Sequence, residues 1–308
     1  MIILIWYLLA QILVLAARCQ DLVVPASWAK TTINVSRQER INRAAKAIDA
    51  FIASDGLFTQ PPGNLSGTYS SHGEFLALIA DFDIFTNQTR YKERVQRYFL
   101  PALQQTRPDP NLYAQAATRA YLAYRDEAFL DIAKEYWASS RDVTLSDKDV
   151  QSRSSPAKSK INSTIDLTCS KPDGSKYTLA GGTFQSAIDD NNLLITTGAT
   201  ANYLTLTALL AKIPSSSDQM YIDVANQMGR FMQNALYKEL GVFHSEITMG
   251  KQGCSRRLNV KEAAVRDTAA TMQALSLLAL NSKSDNLTDV LNSIILHATG
   301  STWNSGDG

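Results

Sequence analysis

The residues best placed to do chemistry are carboxylates, and the chain sets them in a few short patterns. Asp109 stands between two prolines in Arg107-Pro108-Asp109-Pro110-Asn111-Leu112-Tyr113, at the start of an apolar stretch with helical spacing. Asp189 and Asp190 are adjacent, just ahead of a second such stretch that begins near Asn192. Glu74 and Asp81 are seven residues apart, two helical turns, and so share one helix face. Paired carboxyl groups suit the hydrolysis of glycosidic bonds. One donates a proton to the leaving oxygen and the other attacks the sugar or activates water, at separations of about 5–5.5 Å or about 6.5–9.5 Å. One of the two has to stay protonated near neutral pH through burial or a charged neighbour.

Each pattern also has a plainer reading. Asp followed by Pro is a good helix start, because the carboxylate caps free amides and proline fits the first helical position. Asp189 and Asp190 read equally well as cap residues. Glu74 and Asp81 in a mostly apolar helix read as buried hydrogen-bonding groups. His72, His244 and His297 lack metal-ligand spacing, and a lone His244-x-Glu246 is no zinc site. The chain carries no serine elbow, glycine-rich phosphate loop or CxxC motif, so nothing in it calls for a metal or cofactor. Tyr113 and Phe184, then Tyr203 and Trp137, offer aromatic faces on which a pyranose could stack; the alternative is that they are core aromatics.

The elements that must position these groups are helices. Ser36-Arg37-Gln38-Glu39 is a capping-box pattern, and Ile41, Ala44, Ala45, Ile48 and Ile52 follow at helical spacing. Further helices are predicted over 72–85, 91–105, 111–124, 127–140, 192–212, 217–236, 261–280 and 287–297. Residues 142–179 lose apolar periodicity and read as a long solvated excursion with a short hairpin. No period-2 pattern lasts more than a few residues. Phe129-Leu130-Asp131-Ile132-Ala133 is echoed by Tyr221-Ile222-Asp223-Val224-Ala225 and by Leu287-Thr288-Asp289-Val290-Leu291. Recurrent hairpins of this kind predict an all-α stack, inner helices walled by outer ones.

Composition narrows the partners. The 308 residues are 45% hydrophobic and 19% charged with a net charge of +1, enough for one large domain. No basic stripe with interleaved aromatics exists, which argues against nucleic acid and against an acidic membrane surface. Ile2–Ala17 is nearly all apolar and shorter than the roughly 20 residues of a membrane span. It reads as a secretory signal over 1–19, with an uncleaved anchor as the alternative, and a polar lead follows over 20–35. Five N-x-S/T sequons, at Asn34, Asn64, Asn87, Asn162 and Asn286, agree with export. With Cys19 removed, Cys169 and Cys254 are left either as a disulfide or as two buried thiols.

Several segments, in order, resemble glycoside hydrolase family 76, the endo-α-1,6-mannanases. They are His72–Phe82 with Thr86–Tyr91, Asn111–Tyr121, Phe129–Trp137, Gly181-Gly182-Thr183-Phe184 and Tyr221–Leu236. The resemblance covers 36–308 and implies an (α/α)6 toroid with a substrate groove at one end. It also implies a mannan-type polysaccharide as substrate, and a monomeric chain is expected. In the family, two adjacent aspartates act as nucleophile and acid/base. Aligned on Ala120-Tyr121, they fall on Pro108 and Asp109, so only the acid/base carries over, to Asp109. The family's paired tryptophans fall on Leu112 and Tyr113. About nine helices are expected where the family has twelve, an open or incomplete toroid. The readings that follow are a secreted mannan hydrolase, an inactive glycan-binding relative, or a fragment of a longer enzyme.

Overall fold

The computed structural model describes residues 34–54, 69–102, 110–156, 158–170, 174–185, 189, 192–214, 218–239, 242–250, 253–258, 263–282 and 285–302. The apolar leader, Asn64, Pro108, Asp109 and Asp190 lie outside these residues.

Helix α1 (Arg37–Ser54) opens as its sequence suggests, with the Ser36 hydroxyl accepting the Glu39 amide at 3.1 Å. Glu39 does not complete the box; its carboxylate pairs with Arg43 one turn on. Ile41, Ala45, Ile48 and Ile52 form the buried stripe. Helix α2 (Tyr69–Thr86) closes on Asn87 in the left-handed conformation (φ 55°), and the Gln88 amide returns to Asp83 O at 2.9 Å. Asparagine is one of the few non-glycine residues that tolerate this cap position. Helices α3 (Lys92–Ala102), α4 (Pro110–Tyr124) and α5 (Glu127–Asp142) follow. Only Arg125 and Asp126 separate α4 from α5, with Asp126 capping the Ala128 amide at 3.2 Å.

The excursion after α5 holds a short helix, α6 (Asp147–Ser152), and a hairpin of β1 (Thr168–Ser170) and β2 (Lys176–Thr178). Its two ends are stitched together: Gly181 N donates to Leu145 O at 2.7 Å and Leu145 N to Gly182 O at 3.0 Å. Gly181 has φ 97° and leaves no room for a Cβ, which would stand 2.8 Å from Gln227 O. Strand β3 (Leu194–Thr196) then leads into α7 (Thr197–Leu210), followed by α8 (Asp218–Phe231) and a π turn, Met232–Leu236. Strands β4 (Tyr237–Glu239) and β5 (Val242–Phe243) pair with each other. Strands β6 (Glu246–Gly250) and β7 (Gly253–Arg257) add to β3 in an antiparallel sheet of order β3-β6-β7. Helices α9 (Ala263–Ser282) and α10 (Asp285–Thr302) complete the described residues.

The architecture is a curved stack of helices, inner and outer in strict alternation. Helices α2, α4, α7 and α9 pack one on the next, with α3, α5, α8 and α10 outside them. Helix α7 is buried almost all round, from Thr200 and Ala201 through Leu210. A helix hydrophobic on every side must be surrounded by protein, and that is the inner position. The repeated Phe129, Tyr221 and Leu287 segments all begin outer helices. Phe129, Leu130, Ala133, Tyr221, Val224, Ala225, Leu287 and Val290 face inward, and Asp131, Asp223 and Asp289 stand exposed.

The sequence expectation of an all-α stack is met in the helices; short strands β3 to β7, which the sequence reading did not anticipate, lie between them, and two helices differ. One short helix, α6, lies in the stretch read as excursion. The helix expected from Asn192 begins instead at Thr197, after β3. Among the described residues, no helix is long and apolar enough to cross a membrane.

Asp83, 1% exposed, locks α2 to its neighbours: its Oδ2 accepts the Tyr91 amide at 2.8 Å and the Tyr124 hydroxyl at 3.0 Å. Burial raises its pKa above 3.8 and outweighs the lowering by these bonds. A carboxyl raised in the folded state holds its proton more tightly there than in the unfolded chain. Its contribution to stability is therefore largest at acid pH and declines as pH rises through the raised pKa. The melting-temperature gap between wild type and Asp83→Asn should accordingly narrow from acid to neutral pH. A gap that widens toward neutral pH would refute this balance.

Candidate active site

One end of the helical stack gathers the starts of the inner helices. At Gly73, near the start of α2, a Cβ would stand 3.2 Å from the Leu112 backbone and from Tyr113 at the start of α4. The pairs Gly73 with Leu112, Asp81 with Arg119 and Asp83 with Tyr124 advance together, so α2 and α4 run parallel. Asn111 accepts the Ser140 hydroxyl at 2.6 Å, which fixes the end of α5 beside the start of α4. Thr144 and Thr183 share a hydroxyl contact at 3.0 Å, and Thr183 N donates to Thr200 Oγ1 at 3.1 Å. That chain of contacts brings the start of α7 to the same end.

The first turn of α7 is firmly held. Thr196 Oγ1 caps the Ala199 amide at 3.2 Å, Thr197 N donates to Ser245 O at 2.9 Å, and the Thr197 hydroxyl donates to His244 O. Glu246 is the sheet partner of Thr196 and accepts from Arg257 at 3.4 Å. Burial, with Arg256 and Lys238 nearby, lowers the His244 pKa. Asp267, one turn into α9 and half-buried, reaches across to α7. A Cβ built on Gly198 would lie 2.8 Å from its Oδ1. Beside this end, Arg141, Ser146, Lys148, Asp149 and Ser152 are among the residues lining an open depression of about 550 Å³.

The residues singled out in the sequence are only partly assembled here. Asp109 directly precedes Pro110, the first residue of α4, and itself lies outside the described residues. Tyr113 and Phe184 do not offer faces to a sugar. Tyr113 is 1% exposed and meets Phe99 edge-on at 6.2 Å; Phe184 is 2% exposed, with the ammonium of buried Lys158 5.4 Å above its ring. Trp137 and Tyr203 are core residues too. Asp189 is exposed, and β3 separates it from α7, so the premise of an aspartate at that helix start fails. Its carbonyl accepts Lys158 and the Asn192 amide. Glu74 is exposed, while Asp81 is ion-paired with Arg119, so the two do not act together. Burial raises the Asp81 pKa, partly offset by Arg119.

Cys169 and Cys254 are joined in a disulfide, Cα to Cα 5.4 Å, which ties β1 to β7. Asn34, Asn87 and Asn162 are exposed, and Asn286 falls in the first turn of α10. Among the described residues, no group of three or more His, Cys, Asp or Glu is arranged to hold a metal ion.

The sequence matches no family model. It matches no curated protein either. Solved structures, by contrast, resemble it over most of its length and place it among α/α toroids, a fold they share with carbohydrate-active enzymes. An α-1,6-mannanase of glycoside hydrolase family 76 from Salegentibacter sp. HEL1_6 has 12% identity and a TM-score of 0.58, over 77% of this chain and 62% of that one. A protein from Listeria innocua gives 14% and 0.60, over 85% and 70%. A family 76 mannosidase from Bacteroides thetaiotaomicron VPI-5482 gives 14% and 0.53, over 83% and 70%. A variant of the Salegentibacter mannanase, inactivated at two adjacent aspartates, is in complex with α-1,6-mannotriose (11%, 0.54, over 75% and 60%). This chain thus has the α/α fold of the family 76 mannanases and spans 60–62% of the length of the Salegentibacter structures.

Proposed function

We propose that the protein is a secreted, monomeric glycoside hydrolase that cleaves α-1,6-mannan-type polysaccharide, with Asp109 as proton donor. The observation that carries this reading is the likeness to family 76 mannanases, with the inner-helix starts converging where Asp109 joins α4. Asp109 as a carboxylic acid protonates the glycosidic oxygen as the bond to the anomeric carbon breaks; water then bonds to that carbon and returns a proton to the Asp109 carboxylate. Pro108, which stands where the family has its first aspartate, supplies no nucleophile. The leader over 1–19 and the exposed sequons support export.

The test is incubation of the purified chain with linear α-1,6-mannan and chromatography of the products. Short mannooligosaccharides are expected, and Asp109→Asn should cut their release by about 10²–10⁴-fold, the usual contribution of a general acid. Binding of α-1,6-mannotriose without any release would make the chain a glycan-binding relative and end the hydrolase reading.

A further inference from the structure

We propose that Asn87 carries an N-linked glycan whose first sugar lies against the exposed ring of Phe85. The inference rests on the export half of the reading above. It goes further by singling out one sequon and naming what its glycan touches. The segment is Phe85-Thr86-Asn87-Gln88-Thr89. Of the five sequons, it alone has an aromatic residue two positions before the asparagine; the others have Thr32, Pro62, Lys160 and Ser284 there. Among the described residues, Phe85 is the most exposed of the large hydrophobic side chains, at 76%. Leu78, two turns back on the same face of α2, is exposed as well.

The turn that displays this pair is built rather than loose. Asn87 stands in the left-handed conformation, its amide donating to Ile84 O at 3.2 Å and the Gln88 amide to Asp83 O at 2.9 Å. The Asp83 carboxylate takes the Tyr91 amide, and the Lys92 amide donates to Thr89 O at 3.2 Å. Arg37 of α1 donates to Phe85 O at 2.9 Å. Asn87 and Thr89 are both exposed, as an acceptor asparagine and its threonine need to be. A sugar on the Asn87 amide therefore has an apolar neighbour two residues away. An aromatic face suits the apolar C–H face of a pyranose, and the contact takes part of the Phe85 ring out of water.

The modification is a group transfer from a diphosphate-linked oligosaccharide, carried out by the transferase of the secretory apparatus. The Asn87 carboxamide nitrogen bonds to the anomeric carbon as the sugar–phosphate bond breaks. The diphosphate leaves with the electron pair, and the nitrogen gives one proton to the transferase.

The test is to produce the full chain, leader included, in a eukaryotic secretory host and read its glycopeptides by mass spectrometry. Asn87 is expected to be occupied. Thr89→Ala removes the sequon while keeping the left-handed asparagine, and should lower the melting temperature by about 2 °C. In a Phe85→Ser background the same change should cost almost nothing, and trimming the wild-type glycan to its first sugar should leave the melt unchanged. Equal losses in both backgrounds overturn the stacking. A secreted chain glycosylated elsewhere but bare at Asn87 overturns the inference and leaves the export reading standing. A chain retained in the cell without glycan at any sequon ends both.

Discussion

Replacing Trp137 with alanine is expected to lower the free energy of unfolding by about 3–5 kcal/mol, the usual loss for a large buried aromatic. The indole joins three helices. It belongs to α5, donates through Nε1 to Thr207 of α7 at 3.0 Å, and meets Tyr221 of α8 edge-on with ring centroids 4.8 Å apart. Tyr203 lies at 6.2 Å on its other side. Alanine would leave a cavity walled by rigid helices, which cannot collapse to fill it. Thr207 would remain satisfied, because its hydroxyl also donates to Tyr203 O at 2.8 Å. The loss is therefore mainly one of packing, and Trp137→Phe should recover most of it. Urea unfolding with an unchanged m-value measures both variants. A loss for Trp137→Ala close to that of Trp137→Phe would show that the cavity does collapse.

Breaking the Cys169–Cys254 bond should have an effect of similar size. The residues are 85 apart in sequence, and the loop they close contains α7 and α8. In the chain-entropy account, releasing a loop of that length costs about 4–5 kcal/mol through the freedom returned to the unfolded chain. Cys169 is buried, so its thiol would also be left inside the fold. The double variant Cys169→Ser/Cys254→Ser, or wild type under reductant, should melt well below the oxidised protein. Identical melts with and without reductant would mean that the bond adds nothing to the fold.

The helices were legible in the sequence because the outer ones each have one face to bury and the inner α7 is apolar almost all round. Ile41, Ala45, Ile48 and Ile52 declare α1, and the recurrent Phe129, Tyr221 and Leu287 segments declare the outer layer. The strands were not legible. None of them exceeds five residues, too few for alternation to stand out, and β3, β6 and β7 pair across the whole of α7 and α8. Only β3 with β6 makes that long-range pairing, β7 joining β6 as a local hairpin, and β3 occupies residues just before Thr197, where α7 starts.

The site was legible only where it is local in sequence. Asp109 beside Pro110 announces a helix start, and a helix start is where the inner layer opens. Tyr113 and Phe184 misled because an aromatic residue has the same letter in a groove as in a core; Phe99 and Lys158 decide which it is.

The alternation of inner and outer helices has a further consequence, for how the molecule is made. Helix contacts are of two kinds: neighbours along the chain, such as α4 with α5, α7 with α8 and α9 with α10, and inner helices that skip over an outer one, α2 with α4 and α7 with α9, which pack most extensively. Such local contacts close short loops, so the stack can grow hairpin by hairpin at high speed. The β3-β6-β7 sheet and the Cys169–Cys254 bond reach further along the chain, and both must wait until the α7–α8 hairpin has been laid down. The sheet that braces the first turn of α7 therefore forms only after the hairpin it spans.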